Sequence, residues 1–67
     1  MSNFSERLKE LRLDKNLSQR ELAKATGISQ NAITCWETAK SLPIANAIIV
    51  LAKFFDVSTD YLLGLVD

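Results

Sequence analysis

Histidine is absent from this chain, and cysteine occurs only once, at position 35. A single thiol cannot form an internal disulfide, and without histidine it cannot complete the ligand set of a structural zinc site. Cys35 is also unsuited to catalysis, because no imidazole is present to activate the thiol. We therefore expect no metal, no cofactor and no enzymatic reaction.

Long hydrophobic runs are also lacking. The longest uninterrupted apolar run is the six residues from Ala47 to Ala52, whereas a membrane-spanning helix needs ~18. Residues 1–7 lack the apolar stretch of a signal peptide. These features, together with the free thiol, favour a cytoplasmic protein. The length suits one domain over residues 1–67, and a domain of this size buries only about 60% of its unfolded surface.

An excess of one charge is missing as well. Eight basic side chains balance eight acidic ones, and this balance counts against a general polyanion binder. The two signs are nevertheless unevenly distributed. Residues 1–40 carry seven basic and five acidic groups, and residues 41–67 carry one basic and three acidic groups. The N-terminal part is therefore positive, and it contains the helix pair described below.

Apolar side chains recur at helical spacing in five segments, and no segment shows the two-residue alternation of a half-buried strand. The sequence therefore predicts an all-α fold of five helices. Serines supply the N-caps of three helices, and Glu21 follows Ser18 at the spacing of a capping box. The predicted helices cover roughly Asn3–Lys15, Ser18–Thr26, Ser29–Glu37, Pro43–Phe55 and Ser58–Leu63.

The fourth predicted helix carries two apolar stripes. It begins at Pro43, which suits the first turn of a helix. The stripe predicted to face the core consists of Ile44, Ile48, Leu51 and Phe55. A second stripe, at i, i+3 and i+7, consists of Ala47, Val50 and Phe54. The second stripe either thickens the core or forms an exposed seam that a partner covers, and the sequence leaves both interpretations open.

The segment from Leu17 to Glu37 carries the clearest functional pattern. Two short helical patterns, each opening on a serine, flank Gly27, whose tolerance of positive φ suits a tight turn between helices. Apolar residues stand where two crossed helices would face each other, at Leu22, Ala23, Ile28, Ile33 and Trp36. This spacing assigns Trp36 to the core rather than to stacking on a base.

Gln30 and Asn31 stand at the start of the third helix, off its apolar face. One amide side chain can donate to and accept from a single adenine edge, so this helix is suited to the major groove of DNA. The simpler interpretation is that both amides are ordinary solvated residues of a first helical turn.

In these residues the chain resembles the lambda-repressor/Cro-like helix-turn-helix domains of bacterial and phage regulators. The resemblance extends from Phe4 to Leu63. It implies a five-helix fold and sequence-specific binding of double-stranded DNA, usually as a dimer. The matching marks are Leu11-Arg12, Leu17-Ser18-Gln19, Leu22-Ala23, Gly27-Ile28-Ser29, Ile33, Trp36-Glu37, Pro43, Leu51-Ala52-Lys53 and Val57-Ser58-Thr59-Asp60-Tyr61-Leu62-Leu63.

The resemblance also implies roles for individual residues. The positions at or beside the DNA bases are Gln30, Asn31, Thr34 and Cys35. The positions near phosphates are Gln19, Ser29, Thr38 and Lys40. An ion pair between Arg12 and Glu37 is implied to brace the first helix against the third. Many relatives carry Asn-Gly where this chain has Thr38-Ala39.

We predict a transcriptional regulator, specifically a repressor that occupies a two-fold operator with its third helix in the major groove. Such an operator calls for a homodimer, and no small-molecule ligand is evident. The predicted dimer contact consists of Ala47, Val50, Phe54, Leu65 and Val66. The alternative is a protein-interaction module, such as the antitoxin of a toxin–antitoxin pair, which the neutral charge and the second apolar stripe favour.

Overall fold

The computed structural model describes residues 3–67, and this part of the chain forms five α-helices and no strand. The all-α, five-helix prediction is confirmed. No helix among these residues has the length and apolar character needed to cross a membrane. The helices are α1 (Phe4–Asp14), α2 (Gln19–Thr26), α3 (Gln30–Glu37), α4 (Ala45–Phe55) and α5 (Thr59–Leu62).

Four of the five helices begin with a side-chain cap. The caps Asn3, Ser18, Ser29 and Ser58 each accept a hydrogen bond from the backbone N–H three residues later. At α2 the predicted capping box forms, with Ser18 N donating to Glu21 Oε1 at 2.8 Å and Glu21 N donating to Ser18 Oγ at 3.0 Å. The hydrogen bond that the Glu21 carboxylate accepts from the Ser18 backbone lowers the pKa of Glu21, and the Ser18 side chain adds to this effect.

The start of α4 differs from the prediction in two respects. The helix begins at Ala45, so Pro43 precedes it instead of occupying its first turn. Ile44 takes the cap position with extended backbone (φ −80°, ψ 161°) and makes no side-chain cap hydrogen bond. Because Ile44 lies outside the helical phase, its side chain is 70% exposed, and its assignment to the core was wrong.

Every helix end is followed by a residue with positive φ. After α3 the chain makes both hydrogen bonds of a Schellman motif, Lys40 N to Cys35 O at 2.8 Å and Ala39 N to Trp36 O at 3.2 Å. Equivalent bonds follow α1, α4 and α5, and a single bond from Gly27 N to Ala23 O closes α2. The positive-φ residues are Asn16, Gly27, Ala39, Asp56 and Gly64.

Ala39 is the costly member of this set, because its φ of 60° lies in the left-handed region, which costs residues with a Cβ about 1–2 kcal/mol. Ala39→Gly removes that cost but adds freedom to the unfolded chain. We expect a net stabilisation of about 0.5–1 kcal/mol, measured by thermal or urea unfolding. The control Ala25→Gly, at an exposed site inside α2, should destabilise by a similar amount. A melting temperature for Ala39→Gly at or below that of the parent would contradict this account.

The core receives one fully buried side chain from each helix. Around these five, the rings of Phe4 and Trp36 meet edge-on with centroids 6.2 Å apart, which places Trp36 in the core as predicted. Helix α3 packs against α1 and α2, α4 packs against α2 and α5, and α1 also contacts α5. The five fully buried residues are Leu8, Leu22, Ile33, Leu51 and Leu62.

Arg7 is a buried cation that sequence reasoning missed. Its guanidinium carbon lies 4.0 Å from the centroid of the Tyr61 ring, and its Nη1 donates to Tyr61 O at 2.8 Å. Its Nη2 also lies 3.9 Å from Asp67 Oδ1. The signal was present in the sequence, since Arg7 stands three residues after Phe4 on the apolar face of α1. Arg7 thereby ties α1 to α5 and is removed from the charged surface.

Candidate nucleic-acid interface

Helices α2 and α3 form a helix-turn-helix unit around Gly27. Gly27 has φ 76°, and a Cβ at this position would meet no atom within 4 Å. The glycine is therefore needed for its conformation and not for space. Leu22 and Ile33 are fully buried where the two helices cross. The opposite side of α3 is left facing outward.

Gln30 and Asn31 occupy the first turn of α3 and are both exposed. Within residues 3–67, neither the Gln30 nor the Asn31 side chain takes part in a hydrogen bond; the side-chain hydrogen bonds of α3 and its cap involve other residues. Both amides therefore keep their donors and acceptors available to an outside partner. Cys35 lies one turn after Asn31 and is half-buried with a free thiol.

The predicted phosphate-contacting residues differ in what they can still donate. Ser29 Oγ accepts from Ala32 N at 3.1 Å, so its own proton is still available. Thr38 Oγ1 instead donates to Thr34 O at 2.8 Å, and this bond occupies its only proton. Lys40 is exposed just after α3. Ser29 and Lys40 are thus ready donors, whereas Thr38 must first break an internal bond.

A buried ion pair fixes α3 to α1. Arg12 Nε lies 2.7 Å from Glu37 Oε2, and Arg12 Nη2 donates to Glu37 Oε1 at 2.8 Å. A third donor of the guanidinium, Nη1, reaches Leu17 O at 2.7 Å. The hydrogen bonds to Glu37 raise the pKa of Arg12 above its ordinary value, against the opposing effect of burial. The ion pair that the family resemblance implies is therefore present, and it fixes the position of α3 relative to α1.

Burial reduces the positive charge that the sequence places in the first forty residues. Arg7 and Arg12 are both buried, so six of the eight basic side chains remain for the surface. Three of these six stand on α2 or just after α3, and all three are exposed: Arg20, Lys24 and Lys40. A count of charges along the sequence could not distinguish these exposed cations from Arg7 and Arg12, which are buried.

The predicted apolar seam does not form one continuous stripe. Ala47 is only 8% exposed and belongs to the core, so at this position the structure supports the interpretation that the stripe thickens the core, and Ala47 is not part of an exposed seam. Its phase on α4 lies close to that of Leu51, which explains its burial. Val50 is 39% exposed, and Leu65 and Val66 are also exposed. Phe54 is half-buried, and Lys15 Nζ lies 5.8 Å from its ring centroid.

An apolar groove lies between the α2–α3 turn and the first turns of α4. Its volume is about 390 Å³, and no charged residue lines it. Ile28, Ile44, Ala47 and Val50 are among the residues lining it. Leu42, two residues before Ile44, is 86% exposed. Of the residues named here, the sequence had placed only Ala47 and Val50 on a surface that a partner could cover.

The chain belongs to the helix-turn-helix family, whose model matches residues 8–62. Among solved structures, it is similar to a transcriptional regulator from Listeria innocua with a TM-score of 0.86 and 25% identity, over 97% of this chain and 61% of that one. The resemblance to lambda-repressor/Cro-like domains is therefore confirmed.

Several curated relatives are similar over most of this chain. The HTH-type transcriptional activator BcrR of Enterococcus faecalis is 42% identical over 91% of this chain and 30% of its own length. The uncharacterized HTH-type transcriptional regulator YobD of Bacillus subtilis is 34% identical over 96% and 57%. The cryptic phage CTXphi transcriptional repressor RstR of Vibrio cholerae is 32% identical over 81% and 49%. The chain thus spans about a third to somewhat over half of these relatives.

Proposed function

We propose that this protein is a sequence-specific, double-stranded-DNA-binding transcriptional regulator that acts by binding and not by catalysis. The main support for this proposal is the pair of free side-chain amides, Gln30 and Asn31, on the exposed first turn of α3. The Arg12–Glu37 brace holds this helix in place, so the amides reach a base edge from a fixed frame. Ser29 and Lys40 flank them as donors to phosphate.

We infer that the protein represses transcription by occupying its operator. A bound operator is blocked without any further surface on the protein, whereas activation also needs a contact with the transcription machinery. The names of the relatives include both an activator and a repressor. The proposed place of action is the cytoplasm of a bacterial cell, where the DNA is.

Selection of bound duplexes from a random pool tests this function directly. We expect an enriched pair of inverted half-sites with centres ~34 Å apart. A reporter gene carrying the selected site upstream should then fall in expression when the protein is present. Recovery of random sequences after repeated rounds would remove specific DNA binding from the proposal.

The affinity for DNA should depend only moderately on salt. Each neutralised phosphate contributes a slope of about −0.9 in a plot of log K against log salt. With Arg20, Lys24 and Lys40 as the exposed cations of the unit, we expect a slope no steeper than about −3 per subunit. Fluorescence anisotropy from 50 to 300 mM salt measures it. A slope near zero would mean that these three cations do not contact phosphates in the complex.

We propose that two copies pair on a two-fold operator through the surface around the groove. Leu42 is exposed two residues before Ile44, and Ile44 lines the uncharged apolar groove. In the proposed pair, a two-fold axis places each Leu42 against the partner's groove. Because the net charge is zero, two copies do not repel each other through their overall charge. So small a contact suits weak association that DNA completes. The part played by Phe54, Leu65 and Val66 stays a prediction.

Val50→Asp should weaken this pairing, because it buries a charge in the contact. We expect sedimentation to show weaker self-association and binding to two half-sites to lose cooperativity. Ile49→Asp is the matched control, since Ile49 is similarly exposed on α4 but does not line the groove. Equal effects of both variants, or unfolding of Val50→Asp, would contradict the assignment. Unchanged self-association would leave the groove to another protein, as in the antitoxin alternative.

A further inference from the structure

The side-chain amide of Gln19 is held from two sides. Gln19 Nε2 donates to Glu37 Oε1 at 3.1 Å, and Gln19 Oε1 accepts from Thr34 Oγ1 at 2.7 Å. Gln19 is the first residue of α2, whereas both partners belong to α3. This bridge joins the start of one helix to the middle and the end of the next.

The chemistry of the two partners permits one orientation of the amide. The Glu37 carboxylate only accepts hydrogen bonds, and it is 3% exposed and already paired with Arg12. The Gln19 nitrogen must therefore face Glu37, and its oxygen then faces the hydroxyl of Thr34. One N–H of the amide is used in this way, and no hydrogen bond within residues 3–67 uses the other.

We propose that Thr34 is a positioning residue for Gln19 and not a reader of bases. Its only hydroxyl proton is donated to Gln19, and the residue is half-buried. The bond fixes the Gln19 side chain so that the second amide N–H can donate to a phosphate beside the start of α2. This inference rests on the proposed function, because it concerns how the same unit holds DNA.

The consequence is a fixed distance between the phosphate-binding and base-reading parts of the unit. Phosphate contacts set the register of a protein on the duplex, and base contacts read sequence within that register. Thr34 links the two, since it stands on α3 three residues after Asn31 and holds the first residue of α2. Loosening Gln19 should weaken attachment to any duplex by the same factor.

The test compares Thr34→Val, which keeps the shape but removes the donor, with Thr34→Ser, which keeps the donor. Affinity is measured by fluorescence anisotropy on the selected operator and on a random duplex. We expect Thr34→Val to weaken both by about 3- to 10-fold, and Thr34→Ser to bind as the parent does. In a Gln19→Ala background, Thr34→Val should add no further loss.

A second measurement on the free protein keeps the proposal separate from the proposed function. In a ¹H–¹⁵N spectrum, the Gln19 side-chain amide signals should move in Thr34→Val and stay in place in Thr34→Ser. A loss confined to the operator would make Thr34 a base reader and overturn the proposal. The proposal would also be overturned if Thr34→Val bound DNA as tightly as the parent does. It would likewise be overturned if Thr34→Val weakened binding as much in the Gln19→Ala background as in the parent. Failure of the parent to prefer any duplex would instead refute the proposed function, while the spectrum would still report on the bond.

Discussion

Replacing Glu37 by alanine is expected to unfold the domain or to lower its melting temperature by more than about 10 °C. The Glu37 side chain is 3% exposed and accepts hydrogen bonds from both Arg12 and Gln19. Removing one partner of a buried pair costs about 3–5 kcal/mol, because the other charge stays buried and unpaired. A domain of this length has roughly 3–10 kcal/mol of total stability. Circular dichroism over a temperature scan measures the effect.

A double-mutant cycle is the control for this effect. Arg12→Met and Glu37→Met should each destabilise strongly, whereas the double variant should lose clearly less than the sum of the two. The reason is that the double variant leaves no isolated charge in the interior. Additive losses would show that the two side chains act separately and that the brace is not a coupled unit.

Gln30→Ala and Asn31→Ala should each weaken binding to the selected operator by about 1–3 kcal/mol, roughly 5- to 150-fold. Their side chains are exposed on the first turn of α3, so the protein should fold as the parent does. Binding to random duplexes should change little, because removing a base-reading side chain abolishes sequence preference and not attachment. Parallel titrations against both kinds of DNA provide the measurement.

Lys40→Ala is the matched control on the same surface. Lys40 is exposed three residues after the end of α3. Removal of a phosphate-binding cation there should weaken binding to both kinds of DNA equally and reduce the salt slope by about 1. If Gln30→Ala and Asn31→Ala behave like Lys40→Ala, the two amides attach the protein to DNA but do not read its sequence.

The neutral net charge is consistent with this division of roles. Two arginines serve the interior, Arg7 against Tyr61 and Arg12 against Glu37. Their positive charge contributes to fold and not to general attraction of DNA. A regulator with few phosphate contacts has weak non-specific binding, so specificity falls more heavily on the amides of α3 and on pairing of two half-sites.

Signals that act within one turn of a helix were sufficient to predict from the sequence that five helices form and where α2 and α3 begin and end. Ser18 and Ser29 cap α2 and α3, and Gly27 ends α2 with positive φ, as their local chemistry requires. The apolar phase also identified Leu22, Ile33 and Trp36 as buried. Each of these inferences depends on residues a few positions apart, and the sequence by itself determined them.

Only the tertiary structure decided which polar and apolar groups meet across helices. The bond between Thr34 and Gln19 spans 15 positions, and the bond from Arg7 to Tyr61 spans 54. Such pairs depend on the angle and distance at which helices cross, and no local pattern carries that information. The same holds for α4, where the neighbouring helices bury Ala47 and the extended cap leaves Ile44 exposed. Helical phase alone placed Ile44 in the core and left Ala47 open between the core and an exposed seam, because phase does not reveal where a helix begins or which sides its neighbours cover.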